Sequence, residues 1–257
     1  MLINFSKYQG AGNDFIIINM LENKFELSQK QIKFLCDRRF GIGGDGLMLV
    51  LKNDHSDFYM QYFNSDGKEG TMCGNGGRCI AKFAYMNEIS NQEVNFLAID
   101  GKHQAKINKN SVSLSMNNVN EIKVYEDGYF LDTGSPHFVS FVQNINSINI
   151  KEEGRKISDQ ARFYPNRTNV NFVEIQINKI LISTFERGVE DETLACGTGS
   201  IASALALHYS NKINSEEITL SAKGGELKVS FNYKNKTYQN IILEGLAELV
   251  FEGKINI

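Results

Sequence analysis

The chain has 257 residues, 42% of them apolar, and a formal net charge of -3 with acidic and basic side chains interspersed. This length suits one or two domains, and the apolar fraction is ample for packed cores, which excludes a disordered chain. Without a basic stripe, a membrane-length apolar run or a basic leader ahead of the short run at residues 15–18, a cytoplasmic protein that binds neither nucleic acid nor membrane is expected.

Residues 4–9 read as a strand, 10–14 as a turn, and 15–19 as a second, Ile-rich strand. Ser28-Gln29-Lys30-Gln31 is a capping-box pattern that opens a helix with Ile32, Leu35 and Cys36 on its core face. The glycine-dense run from Gly41 to Gly46 lacks the Gly-Lys-Ser/Thr ending of a phosphate loop and follows a helix, so it reads as a loop that brings backbone close to a cleft floor. Residues 47–51 and 58–63 are strands, Asn64-Ser65-Asp66-Gly67 is a turn, and Met72-Cys73-Gly74-Asn75-Gly76-Gly77-Arg78 opens a helix. Residues 93–99, 103–107 and 112–116 are strands, and 117–120 is the best candidate linker.

The second half replays the first. Gly134-Ser135-Pro136-His137 stands where Gly12-Asn13-Asp14 stood. Asn169-Val170-Asn171-Phe172-Val173 leads a strand. Thr184-Phe185-Glu186-Arg187-Gly188 precedes Ala195-Cys196-Gly197-Thr198-Gly199-Ser200 much as residues 62–67 precede Cys73. A hairpin turn follows at Gly224-Gly225, and residues 241–257 are strand-rich.

Each Cys-Gly-x-Gly motif opens an apolar run, and the second contains no charged side chain from Cys196 to Tyr209. A helix apolar on nearly all sides is buried on nearly all sides, so each is expected to be wrapped by curved sheet. A helix start offers unpaired N–H groups and partial positive charge, which bind carboxylates and favour a thiolate. Two such starts facing one another would hold an anion between two thiols, and that arrangement is expected here. Cys36 and Cys79 read as packing residues. In a reducing compartment all four cysteines should be thiols. No Cys-x-x-Cys pair or His cluster suggests a metal. Taken singly, His137 would be a loop or core histidine, Glu186-Arg187 a surface pair, and Asn13 and Asn64 turn residues.

On Gly10-Ala11-Gly12-Asn13-Asp14-Phe15, Phe63-Asn64-Ser65-Asp66-Gly67, Cys73-Gly74-Asn75-Gly76, Glu186-Arg187-Gly188 and Ala195-Cys196-Gly197-Thr198-Gly199, the chain resembles the diaminopimelate epimerases over essentially its whole length. The resemblance implies an α+β fold of two pseudo-symmetric domains, residues 1–117 and 118–257, each a barrel-like sheet around a central helix. The last strand, about residues 247–257, would return to the first domain. It implies epimerisation of LL-diaminopimelate to meso-diaminopimelate without pyridoxal phosphate or any other cofactor, in lysine and peptidoglycan precursor synthesis, by a homodimer. Cys73 and Cys196 would be the two proton-transferring groups. Gly74, Asn75, Gly197 and Thr198 would bind the reacting carboxylate. Asn13, Asn64, Asn169 and Arg187 would hold the distal end, and Glu186 and His137 would support the thiols or the substrate amine. Two positions depart from the family pattern: Ser135 stands where Asn is common, and Gly46 where some members have Gln. The rival readings are a proline racemase or hydroxyproline epimerase relative and, from another class, a non-catalytic amino-acid binder or a thiol redox sensor.

Overall fold

The computed structural model describes residues 1–22 and 25–257. The chain divides into two compact units, one of residues 1–114 and 245–257, the other of residues 115–244. Strands β1 (Leu2–Gly10) and β2 (Asn13–Asn19), helix α1 (Gln29–Cys36), strands β3 (Gly46–Leu51), β4 (Phe58–Asn64) and β5 (Glu69–Gly70), helix α2 (Gly74–Met86), and strands β6 (Glu93–Ala98), β7 (Gly101–Ile107) and β8 (Val112–Ser115) run through the first part of the chain. Strands β9 (Lys123–Tyr125), β10 (Gly128–Asp132) and β11 (Pro136–Val142), helix α3 (Ile150–Ser158), strands β12 (Asn169–Ile175), β13 (Ile180–Glu186) and β14 (Asp191–Thr193), helix α4 (Gly197–Tyr209), and strands β15 (Glu217–Ala222), β16 (Gly225–Lys234) and β17 (Thr237–Gly245) follow, and β18 (Glu248–Asn256) comes last.

In the first unit β2 is antiparallel to β1 and parallel to β3, β4 is antiparallel to β3 and β5, and β6 is parallel to β4 and antiparallel to β7. Strand β18 closes the far side of β1 over nearly its whole length. Helix α2 touches β1, β2, β6, β7 and β18, so the sheet curves around it. This explains the run Phe15–Ile18, which is 0–1% exposed throughout. Ile16 and Ile18 share a core with Ile32 and Leu35 of α1, while Phe15 faces the start of α2 near Gly76. A strand with a helix on each face has no polar side to show. Helix α1 starts as its sequence predicts: the Ser28 hydroxyl accepts from the Gln31 N–H at 3.4 Å, and the Gln31 side chain accepts from the Ser28 N–H at 2.9 Å.

The second unit repeats this wiring. Strand β11 is antiparallel to β10 and parallel to β12, β13 is antiparallel to β12 and β14, and β15 is parallel to β13 and antiparallel to β16. Helix α3 packs on β12 and β13, and α4 touches β10, β11, β12, β13, β15 and β16. Residues Ile201, Ala202, Ala204, Leu205, Ala206 and Leu207 of α4 are 0–1% exposed. Burying each leucine contributes about 1.5–3 kcal/mol, and a charge introduced anywhere on the inner turns would lack both water and a partner. No described helix is long and apolar enough to cross a membrane.

Candidate active site

Cys73 is the N-cap of α2, and Cys196 is the N-cap of α4. Both have extended backbone, both are half-buried, and both are thiols, not disulfide halves. Each therefore sits where the first N–H groups of a helix lack intrahelical acceptors. The local contacts differ. Cys73 Sγ accepts from the Gly76 N–H at 3.2 Å, the ordinary bond of an N-cap side chain. Cys196 Sγ lies 3.4 Å from the Thr198 hydroxyl. The other two cysteines are buried, and burial pushes their thiols up, to about 11 for Cys36 and about 12 for Cys79.

In the first unit Asn13 begins β2 and Asn64 ends β4. The pairs Phe15↔Gly46 and Gly46↔Asn64 place them at the same end of the sheet. Asn75, in the first turn of α2 and buried, donates to Asn13 Oδ1 at 3.4 Å, and Asn13 donates to Asp45 at 2.5 Å. Arg78 holds Asn75 from behind, donating to its Oδ1 at 2.8 Å and to the Gly74 carbonyl at 3.1 Å. Burial pulls the Arg78 guanidinium below its ordinary pKa, and the neighbouring Cys79 and Cys73 sulfurs oppose that shift. Lys7 and Arg38 converge on Asp14 at 2.8 and 2.6 Å, and Arg38 also reaches Asp45 at 2.7 Å. Position 46 has no room for a side chain: a Cβ there would lie 2.5 Å from the Tyr62 ring.

In the second unit the pairs His137↔Asn169 and Val170↔Phe185 bring the start of β11, the start of β12 and the end of β13 together. Ser135, His137, Asn169 and Thr198 form one cluster. The Ser135 hydroxyl lies 3.0 Å from His137 Nε2 and 3.3 Å from the Thr198 hydroxyl, and Nε2 lies 2.9 Å from that same hydroxyl. Asn169 donates to Ser135 at 3.4 Å and accepts from the Arg187 N–H at 3.0 Å. The Arg187 guanidinium donates to the Asn166 carbonyl. Glu186 is half-buried at the end of β13. Burial, aided by the Arg187 charge, lowers the His137 pKa to about 3, so the imidazole is neutral.

Sequence patterns did not single out Asn171 or Thr184 for the site, nor the charged group of Lys7, Asp14, Arg38 and Asp45. Asn171 had a usable signal. It alternates with Val170 and Phe172, so it shares a strand face with Asn169. The charged group had none, because its members come together only through the pairing of β1, β2 and the loop before β3.

Each unit thus presents a cysteine at the mouth of a buried helix, with amides and charged groups at the adjoining strand ends. Solved proteins share this α+β fold at low sequence identity. A Bacillus anthracis phenazine biosynthesis protein of the PhzF family aligns with a TM-score of 0.78 at 16% identity over 100% of both chains. A probable proline racemase from Agrobacterium radiobacter aligns at 0.67 and 14% identity, over 99% of this chain and 92% of that one. The fold therefore puts the protein in the class of α+β proteins, here with two units, each curved around its own central helix. The sequence model of diaminopimelate epimerase matches residues 5–122 and 129–250. Diaminopimelate epimerases from Flavobacterium psychrophilum and Chlorobaculum tepidum are 48% and 41% identical, over 97% and 96% of this chain and 98% and 99% of their own. The chain belongs to the diaminopimelate epimerase family and is an enzyme of the isomerase class.

Proposed function

We propose that the enzyme interconverts LL- and meso-diaminopimelate by moving protons between Cα and two thiols, Cys73 and Cys196. The observation that carries this reading is the duplicated motif: each cysteine caps a sheltered helix whose first turn is built from glycine and small residues.

The Cα–H of an amino acid is a very weak acid, so the negative charge that develops on its removal must be stabilised in place. Fixed N–H dipoles aimed at the carboxylate do so where water is excluded. The backbone at Gly74, Asn75, Gly197 and Thr198 supplies such dipoles. One cysteine, as thiolate, takes the Cα proton, and the C–H electron pair passes into the carboxylate as an enediolate-like state. The other cysteine, as thiol, delivers its proton to the opposite face of Cα, and the electron pair returns to carbon. The two sulfurs end with their protonation states exchanged, and the next turnover can run the other way.

Asn13, Asn64, Asn169 and Arg187 recognise the distal amino-acid end, where a guanidinium can bind a carboxylate through two parallel bonds. Glu186, His137 and Ser135 support the thiols and the substrate amine. The reaction uses no pyridoxal phosphate and no metal. It runs in the cytoplasm, in a homodimer, on the route to lysine and peptidoglycan precursors.

The test is incubation of the purified enzyme with LL-diaminopimelate in deuterated water, with no cofactor added. Meso product carrying deuterium at the inverted Cα is expected. A requirement for added pyridoxal phosphate, loss of activity with EDTA, or product without deuterium would overturn the reading.

A further inference from the structure

The hydrogen positions around His137 follow from its neighbours. The Asn171 amide nitrogen lies 3.2 Å from the Phe138 carbonyl oxygen, which can only accept, and its oxygen accepts from the Thr184 hydroxyl at 2.9 Å. Turning the amide over would set two oxygens against each other at Phe138. The group 3.0 Å from His137 Nδ1 is therefore the Asn171 nitrogen. An amide nitrogen donates and does not accept. Nδ1 must be the bare, accepting nitrogen, and in this neutral ring the single hydrogen sits on Nε2.

That hydrogen has two oxygens within reach, Thr198 Oγ1 at 2.9 Å and Ser135 Oγ at 3.0 Å. Asn169 is also oriented, because its oxygen takes the Arg187 N–H. Its nitrogen donates to Ser135, and its 3.4 Å approach to Nε2 sets donor against donor and is no bond. With Nε2–H supplied to Thr198 Oγ1, and the Ser135 hydroxyl 3.3 Å away able to donate there too, the Thr198 hydrogen is left over. Ser135 Oγ already accepts from Asn169 and turns its own hydrogen to Thr198, so Thr198 cannot donate back to it and its hydrogen goes to Cys196 Sγ at 3.4 Å.

We propose that Asn171 is a positioning residue that fixes His137 as the Nε2–H tautomer and so turns the Thr198 hydroxyl hydrogen towards Cys196 Sγ. A donor aimed at sulfur stabilises thiolate more than thiol, so the arrangement prepares Cys196 to take a proton. This rests on the reading of Cys196 as an acid–base group. The effect is one of tautomer choice. A carboxylate at position 171 would accept from Nδ1–H, leave Nε2 bare, and draw the Thr198 hydrogen onto the ring and away from sulfur.

The first test reads the unaltered enzyme, with one variant used only to assign the signal. Nitrogen-15 NMR of the histidine-labelled enzyme, with the His137 signal assigned by its disappearance in His137→Asn, should show Nε2 protonated and Nδ1 bare. Observation of Nδ1–H would overturn the proposal. In Asn171→Asp the hydrogen should move to Nδ1, and epimerisation should fall on the order of 10–10²-fold, by analogy with loss of the hydrogen-bond partner that orients a metal-bound histidine. Elimination from a β-substituted substrate isomer deprotonated by Cys196 should fall further than elimination from the isomer deprotonated by Cys73. Thr198→Val should reproduce that bias, and the double variant should lose little more than either single one. Multiplying losses, or a moved hydrogen with both isomers affected equally, would also overturn the proposal. The acid–base reading of Cys196 fails separately, if Cys196→Ser leaves elimination from both isomers intact, whatever the tautomer.

Discussion

Gly199 and Asn171 approach so closely that a Cβ on residue 199 would lie 2.3 Å from Asn171 Oδ1. The first turn of α4 thus rests against the amide that faces His137, and only a residue without a side chain permits the contact.

The sign of Gly199→Ala tests this directly. In an unconstrained helix, alanine in place of glycine is favourable by roughly 0.5–1 kcal/mol. Here overpacking against Asn171 should reverse the sign, with a loss of about 1–3 kcal/mol. Shortening the neighbour, as in Gly199→Ala with Asn171→Ser, should recover part of it. Urea denaturation of the single and double variants measures both effects. A stabilised Gly199→Ala protein would show that the contact yields freely.

Asp14 ties acid stability to the loop before β3. Burial alone would raise its carboxyl pKa, but the Arg38 guanidinium and the Lys7 ammonium outweigh burial and hold it well below its ordinary value of 3.8. A carboxyl that binds protons more weakly folded than unfolded contributes stability above the unfolded value and loses it as pH falls towards the folded one. The contribution is therefore fully present at neutral pH and fades below about pH 4. Asp14→Asn leaves Lys7, 5% exposed, with the Gly43 carbonyl but without this anion, a loss of about 1.5–3 kcal/mol, the range for a hydrogen bond to a charged group. Denaturation curves at neutral pH should differ by that order, and the gap should narrow as the medium is acidified below pH 4. A gap that stays constant across this range would remove Asp14 as its source.

The two thiols should divide the proton transfers between them. A serine hydroxyl is too weak an acid to serve as a thiolate-like base near neutral pH, so Cys73→Ser and Cys196→Ser should each lose epimerisation by on the order of 10²–10⁴. Each variant keeps one competent base. With an analogue that carries a leaving group at the β carbon, removal of the Cα proton is enough for elimination. Each variant should eliminate from one stereoisomer, and the two should prefer opposite isomers. Following product formation with both isomers decides the point, and a shared preference would mean that the thiols do not address opposite faces of Cα.

Features written into adjacent residues were legible in the sequence. The capping box at Ser28 and Gln31, the uncharged run of α4 and the two Cys-Gly-x-Gly helix starts are each set by neighbours along the chain. Helix α3 was not legible, because Gly154 sits in its middle, where glycine weakens a helix. The structure gives the reason: a Cβ there would lie 2.3 Å from the Phe185 Cβ, so the residue is chosen for packing on β13 against its own helix propensity. The partners of His137 were hidden for a related reason. Asn171 looks like any strand amide until β11 and β12 pair in parallel and set it beside the ring. The group of Lys7, Asp14, Arg38 and Asp45 comes from three segments, β1, β2 and the loop before β3, and no local pattern joins them.

The return of β18 to β1 sets the order in which the protein can be completed on the ribosome. One flank of β1 is satisfied early by β2, but the other waits for residues 248–256. At about 5–20 residues per second, translation of everything between them takes roughly 10–50 s. For that interval the nascent first unit carries an open strand edge, the kind of surface that invites pairing with another chain. The second unit, whose residues form one continuous stretch, can finish folding first although it is made later.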